Sequence, residues 1–196
     1  MRILLLLIFA SLISCSITRK PDVKIREENA NSIISYLDSK KVSNYSNDVA
    51  TFNGINTFIE YDNSDKLSVP EAYFFNKEGY RVKDNFNGTN CGQVIGNIDQ
   101  INNAPSDKKE HINDWIAKYN FPLRTNTDIA SDNEQYDAYI IITWAIFGDR
   151  FNETSFKWYK DIKEHKDLKI KTILLDIDVI DSWTLNDKQR EVLGLK

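Results

Sequence analysis

Cysteine and histidine are scarce: 196 residues contain only Cys15, Cys91, His111 and His165. The two cysteines lie far apart, so a CxxC dithiol and a cysteine-based zinc site are both excluded by count. No apolar run reaches the roughly 20 residues that a membrane-crossing helix requires. Basic runs are equally absent, none exceeding a pair such as Arg19-Lys20, and this argues against the dense cationic footprint of a nucleic-acid binder. With 25 basic and 29 acidic residues, the formal charge of −4 serves mainly solubility. No internal repeat or low-complexity segment interrupts the chain.

What is present begins at the N-terminus. Arg2 precedes an apolar stretch from Ile3 to Phe9 that continues through Leu12 to Ile13. A basic start, a short apolar segment and small residues read as a secretory signal. Leu12-Ile13-Ser14-Cys15 resembles the bacterial lipobox. The resemblance implies diacylglyceryl attachment to the Cys15 sulfur, cleavage before it and acylation of the new amino group. One acyl chain binds a membrane only marginally; two or more hold it, each buried methylene contributing about 0.8 kcal/mol. Residues 1–14 are thus expected to be a lipoprotein signal peptide and 15–24 a lipidated tether. Removing 1–14 leaves 182 residues with 24 basic against 29 acidic, a charge of −5, because Arg2 is the only charge lost. Cys91 is then the sole thiol, and the mature chain forms no internal disulfide. Lipidation places the protein in the bacterial cell envelope, and Ser16 after the anchor favours the outer membrane over the inner.

Residues 25–196 read as one α/β domain. Ala30, Ile33, Ile34 and Leu37 recur at helical spacing. The Asn- and Ser-rich 43–54 segment reads as a loop, 55–62 as an alternating strand and 63–65 as a turn. Residues 69–84 form a hairpin candidate with Gly79 in its turn. Val94, Ile95, Ile98 and Ile101 predict a helix starting beside Cys91, and Ile112, Trp115, Ile116 and Tyr119 predict another. Residues 124–135 form a polar connection. Ala138 to Phe147 is a buried strand, a helix follows from about Glu153, 168–179 is a second buried strand, and 185–195 is a closing helix. If parallel, the two strands require a right-handed crossover through the helix.

Ile140-Ile141-Ile142-Thr143-Trp144-Ala145-Ile146-Phe147-Gly148 resembles the aromatic-Trp-Ala box of thioredoxin-like proteins, and 169–178 resembles the strand that follows it. The resemblance covers about residues 137–180. It implies a thioredoxin-like mixed sheet flanked by helices. The family's active-site cysteines are missing, because the turn reads Phe147-Gly148-Asp149-Arg150-Phe151-Asn152. The family's terminal cis-proline hairpin is also missing after Asp178. A similar element stands earlier, Val69-Pro70 followed by an aromatic strand and Gly79. It implies either a permuted order or the N-terminal hairpin of peroxiredoxin-like relatives.

The candidate site residues follow from these placements. Cys91 lies at an expected helix N-terminus, which lowers a thiol pKa, or else packs as a half-buried core cysteine. Phe147, Asp149 and Arg150 occupy the degenerate turn, where the two charges contact a partner or each other. Trp158 falls off the Phe156, Tyr159 and Ile162 stripe and becomes an exposed interface anchor. Asp176, Asp178 and Asp181 supply too few oxygens for calcium and read as solvated strand-end groups. Asp62-Asn63-Ser64-Asp65 lacks the glycine of a calcium loop. His111 is expected on the polar side of its helix. No cofactor and no metal ligand is assigned.

These readings lead to a non-enzymatic binding module tethered to a membrane through its N-terminal lipid, with a protein partner and no nucleic acid. One alternative is a thiol-redox protein using Cys91, either a one-cysteine peroxidase or a thiol-exchange partner. A second is an immunity protein against a toxin.

Overall fold

The computed structural model describes residues 25–83, 91–124 and 135–195. The segments expected to be a signal peptide (1–14) and a tether (15–24), Cys15 included, lie outside the described residues. Among the described residues, no helix is long and apolar enough to cross a membrane.

The chain enters through β1 (Glu27–Glu28) and α1 (Ala30–Ser39). Asn29 caps α1: its side chain accepts the Ser32 N–H while Ser32 Oγ accepts the Asn29 N–H. Ile33 and Leu37 face the core, whereas Ile34 is exposed.

Two expectations are corrected next. The 43–54 loop contains a fully buried strand, β2 (Val49–Phe52), and the expected strand at 55–62 is a helix, α2 (Ile55–Asn63). In α2 the buried residues are Thr57 and Tyr61, four apart, so the buried face has a helical period. A strand as short as β2 carries too few residues for alternation to register among the surrounding Asn and Ser.

The expected hairpin is present as β3 (Glu71–Asn76) and β4 (Tyr80–Val82). Gly79 has φ +82°, and a Cβ there would stand 2.5 Å from His111 Nε2. The peptide bond Val69–Pro70 leading into β3 is cis. The helix expected beside Cys91 is divided into α3 (Cys91–Gly96) and a 3-10 turn, Ile98–Asn103.

The charged run Ser106–His111 is an unanticipated strand, β5. Helix α4 (Ile112–Ile116) stops short of Tyr119, which instead belongs to β6 (Tyr119–Asn120). Then come β7 (Ala138–Trp144), α5 (Asp149–Lys163), β8 (Ile170–Asp176), β9 (Val179–Ile180) and α6 (Asp187–Val192). Helix α5 starts four residues before the expected Glu153.

Seven strands form one mixed sheet in the order β5-β4-β3-β7-β8-β2-β6. The strands β7, β8 and β2 run parallel, while β3 pairs antiparallel with β7 and β6 antiparallel with β2. Strands β1 and β9 make a separate parallel pair. Both faces of the sheet are covered, which explains the unbroken apolar run of β7. On one face Trp115 of α4 packs on Tyr73 and Phe75, and Phe58 and Tyr61 of α2 pack on Phe52. On the other, Trp144 of β7 is fully buried between Tyr36 of α1 and Phe156 of α5.

Candidate functional site

At the end of β7 the chain leaves the sheet through Ala145 and a 3-10 turn, Ile146–Gly148, before entering α5. Asn152, buried one turn into α5, holds this exit. Its Oδ1 accepts the Ala145 N–H, and its Nδ2 donates to the Ala145 carbonyl and to Tyr36 Oη. Tyr36 in turn donates to Asp149 Oδ1 at 2.6 Å, and Lys40 pairs with the same oxygen at 2.6 Å. The Lys40 ammonium, seconded by the Tyr36 hydroxyl, lowers the Asp149 pKa. Asp149 is therefore tied to α1, not to Arg150, whose guanidinium lies 4.4 Å from the Phe151 ring centroid. Asp149 and Arg150 are exposed and Phe147 is partly buried.

Beneath the turn, Asp176 and Asp178 are not solvated as expected; both are buried. Asp178 accepts the N–H groups of Ile146 and Phe147, which are free because the chain is leaving β7. Asp176 Oδ1 accepts the Asp178 N–H, and its Oδ2 is enclosed without a hydrogen-bond partner. Burial, with the neighbouring Asp178 charge second, raises the Asp176 pKa well above the usual carboxylate range. Burial also raises Asp178, against the opposing pull of the neighbouring Asp176 carboxyl and of the Ile146 and Phe147 N–H groups. Asp181, by contrast, is exposed.

Cys91 lies at the hairpin edge. Its Sγ donates to Glu71 Oε1 at 2.8 Å, and Glu71 is the residue that follows cis Pro70. The expected lowering of the thiol pKa is reversed: burial and the Glu71 carboxylate push it up to about 12. At six residues α3 offers little dipole to oppose them. A thiol held protonated is a poor nucleophile.

An open groove of 820 Å³ runs from the end of α1 along α5. Its lining includes Lys40, Lys41, Arg150, Lys157, Lys160 and Lys163, against the carboxylates Asp149, Glu153 and Glu164. Lys157 reaches Asp161 at 2.6 Å and Lys163 reaches the buried Asp48 at 2.9 Å, which also accepts the Tyr159 hydroxyl. Among the described residues, Lys41 and Arg150 have no carboxylate within ion-pair range. Trp158 is partly buried beside the core and does not stand clear as an anchor.

His111 is also placed differently from its expected polar helix face. It precedes α4, where Nδ1 accepts the Asn113 N–H, Nε2 donates to the Glu78 carbonyl and the ring meets Tyr80 edge-on. One grouping among the described residues offers metal-ligand geometry: Asp99, His165 and Asp167. The long separation of Asp99 from the other two hid it in the sequence. The groove was hidden for the same reason, since residues 40–44 and 149–164 meet only in the fold.

No protein-family model matches the chain, and no curated protein or solved structure matches it.

Proposed function

We propose that the protein is an exported lipoprotein of the bacterial cell envelope, anchored through an acylated Cys15. Its domain is a non-enzymatic binding module on a permuted thioredoxin-like scaffold, and it takes an acidic segment of a partner protein. The scaffold reading is supported by the neighbours of β7. This strand carries the Trp144-Ala145 box, leads into α5, pairs parallel with β8 and pairs antiparallel with a hairpin entered through Pro70. The hairpin precedes the β7-α5-β8 unit in the chain, hence the permuted order. Fold likeness alone carries no activity, so the functional reading rests on the site.

The observation that carries it is the groove beside a turn without cysteines. An acidic chain gathers six cationic side chains there against three carboxylates. Exposed ion pairs such as Lys157–Asp161 contribute about 0.2–1 kcal/mol, so an incoming carboxylate displaces them at little cost. A toxin with an acidic docking segment is one such partner. Thiol redox chemistry is opposed by the protonated, half-buried Cys91.

Fluorescence polarisation with a labelled oligoglutamate peptide tests the groove. Binding should saturate, weaken with salt and fall at least tenfold in a Lys41→Glu, Lys160→Glu double variant. Equal binding by the variant overturns the groove assignment. Palmitate labelling tests the anchor, and a Cys15→Ser chain that still partitions into detergent with its lipid intact would refute it.

A further inference from the structure

We propose that Asp99, His165 and Asp167 form a surface site for a divalent transition-metal ion of the zinc type, independent of the groove and of the module reading. One ligand atom from each residue lies within 4.8 Å of the other two. His165 Nε2 and Asp99 Oδ1 are 3.0 Å apart. Metal–ligand bonds of about 2.0–2.1 Å in a tetrahedral centre put neighbouring ligand atoms about 3.3 Å apart. The spacing needed is therefore reached by small rotations of two exposed aspartates around one fixed ring.

The ring is the fixed element because it is sunk: the His165 side chain is 18% exposed, against 58% for Asp99. Backbone bonds hold both halves of the site. The His165 N–H donates to the Ile162 carbonyl and closes α5. Asp99 is the second residue of the 3-10 turn Ile98–Asn103, and Asn102 of that turn accepts the Lys77 N–H and donates to the Asp137 carbonyl. Asp137 itself accepts the Lys169 N–H just before β8. The turn bearing Asp99 is thus tied to the ends of β3, β7 and β8, and Asp167 lies between His165 and Lys169 on the connection into β8.

The donor set selects the ion. One imidazole with two carboxylates suits zinc-type cations and leaves a fourth position to water. Calcium wants about six to eight oxygens and finds two aspartates here. His165 Nδ1 is enclosed without a hydrogen-bond partner. The acceptor that usually orients a metal-bound histidine is missing, and such acceptors are worth about 10- to 100-fold in affinity. Binding is accordingly micromolar, not nanomolar.

The test is calorimetric titration of zinc chloride into the full-length, metal-free chain in detergent. One equivalent should bind with micromolar affinity, and His165→Asn and Asp167→Asn should each weaken it at least tenfold. Asp167→Asn should leave the unfolding midpoint of the metal-free protein unchanged, which separates lost ligation from lost folding. Cys91→Ser and His111→Asn should bind as the parent does. No saturable binding up to millimolar zinc overturns the site, as does binding that survives both ligand variants or disappears with Cys91→Ser.

Discussion

The turn after β7 buries its acidic side chains and the hairpin edge beside it half-buries one, and they use them differently. At the turn, Asp178 accepts two backbone N–H groups that no strand neighbour can satisfy, while burial raises the pKa of Asp176 beneath it. At the hairpin edge, Glu71 accepts its neighbour's N–H and the Cys91 thiol, and adds to burial in raising the thiol pKa. One acid holds backbone and the other suppresses a nucleophile.

The largest effect is expected from removing the aromatic that ends β7. Trp144→Ala should destabilise by about 3–5 kcal/mol, measured by urea unfolding, because it empties a site enclosed by Tyr36 and Phe156. A cost below 1 kcal/mol would mean that this aromatic stack is not part of the core.

The turn acids come next. Asp178→Ala orphans the Ile146 and Phe147 N–H groups and should cost about 1–3 kcal/mol for each one left buried. Asp176→Asn should do the reverse at neutral pH. The folded pKa of Asp176 is raised, so its contribution to stability is fully present below the unfolded value of about 3.9 and is lost as pH rises through the folded value. An asparagine keeps the neutral form at every pH. The variant should therefore unfold at higher urea than the parent at pH 8 and show a flatter stability profile from pH 4 upward. Identical profiles would show that Asp176 does not titrate differently on folding.

The hairpin acid gives a smaller effect. Cys91→Ser keeps a donor toward Glu71 and should change stability by less than about 1.5 kcal/mol, the range of one hydrogen bond. The parent thiol should react slowly with alkylating reagents at pH 7 and rapidly once urea unfolds the chain. The purified domain should show no disulfide reductase activity. Fast alkylation in the folded state would erase the distinction between the two regions. The smallest change is at the surface: Lys157→Ala removes an exposed i,i+4 pair and should cost about 0.3–0.5 kcal/mol.

Where the apolar period was long, sequence reading located the elements. The stripe of α1, the aromatic hairpin closed by Gly79 and the two buried strands around α5 all follow from residue spacing. Short elements were misread. Eight residues from Ile55 fit both periods, and tertiary packing of Tyr61 and Phe58 onto Phe52 selected the helix. Val49 to Phe52 acquires strand identity by pairing with β8, more than a hundred residues later. Of the candidate site, the turn Phe147 to Arg150 was located from the Trp144-Ala145 box, but its partners Tyr36, Lys40 and Asp178 come from other elements.

Sequence by itself determined the α/β class, the absence of a dithiol and the position of the turn, because composition and local period are properties of neighbours along the chain. Only the tertiary structure decided that Asp176 and Asp178 are buried, that Cys91 is protonated, and that Asp99 meets His165. Each of these depends on desolvation or on a partner distant in sequence, and both arise only when the strands assemble.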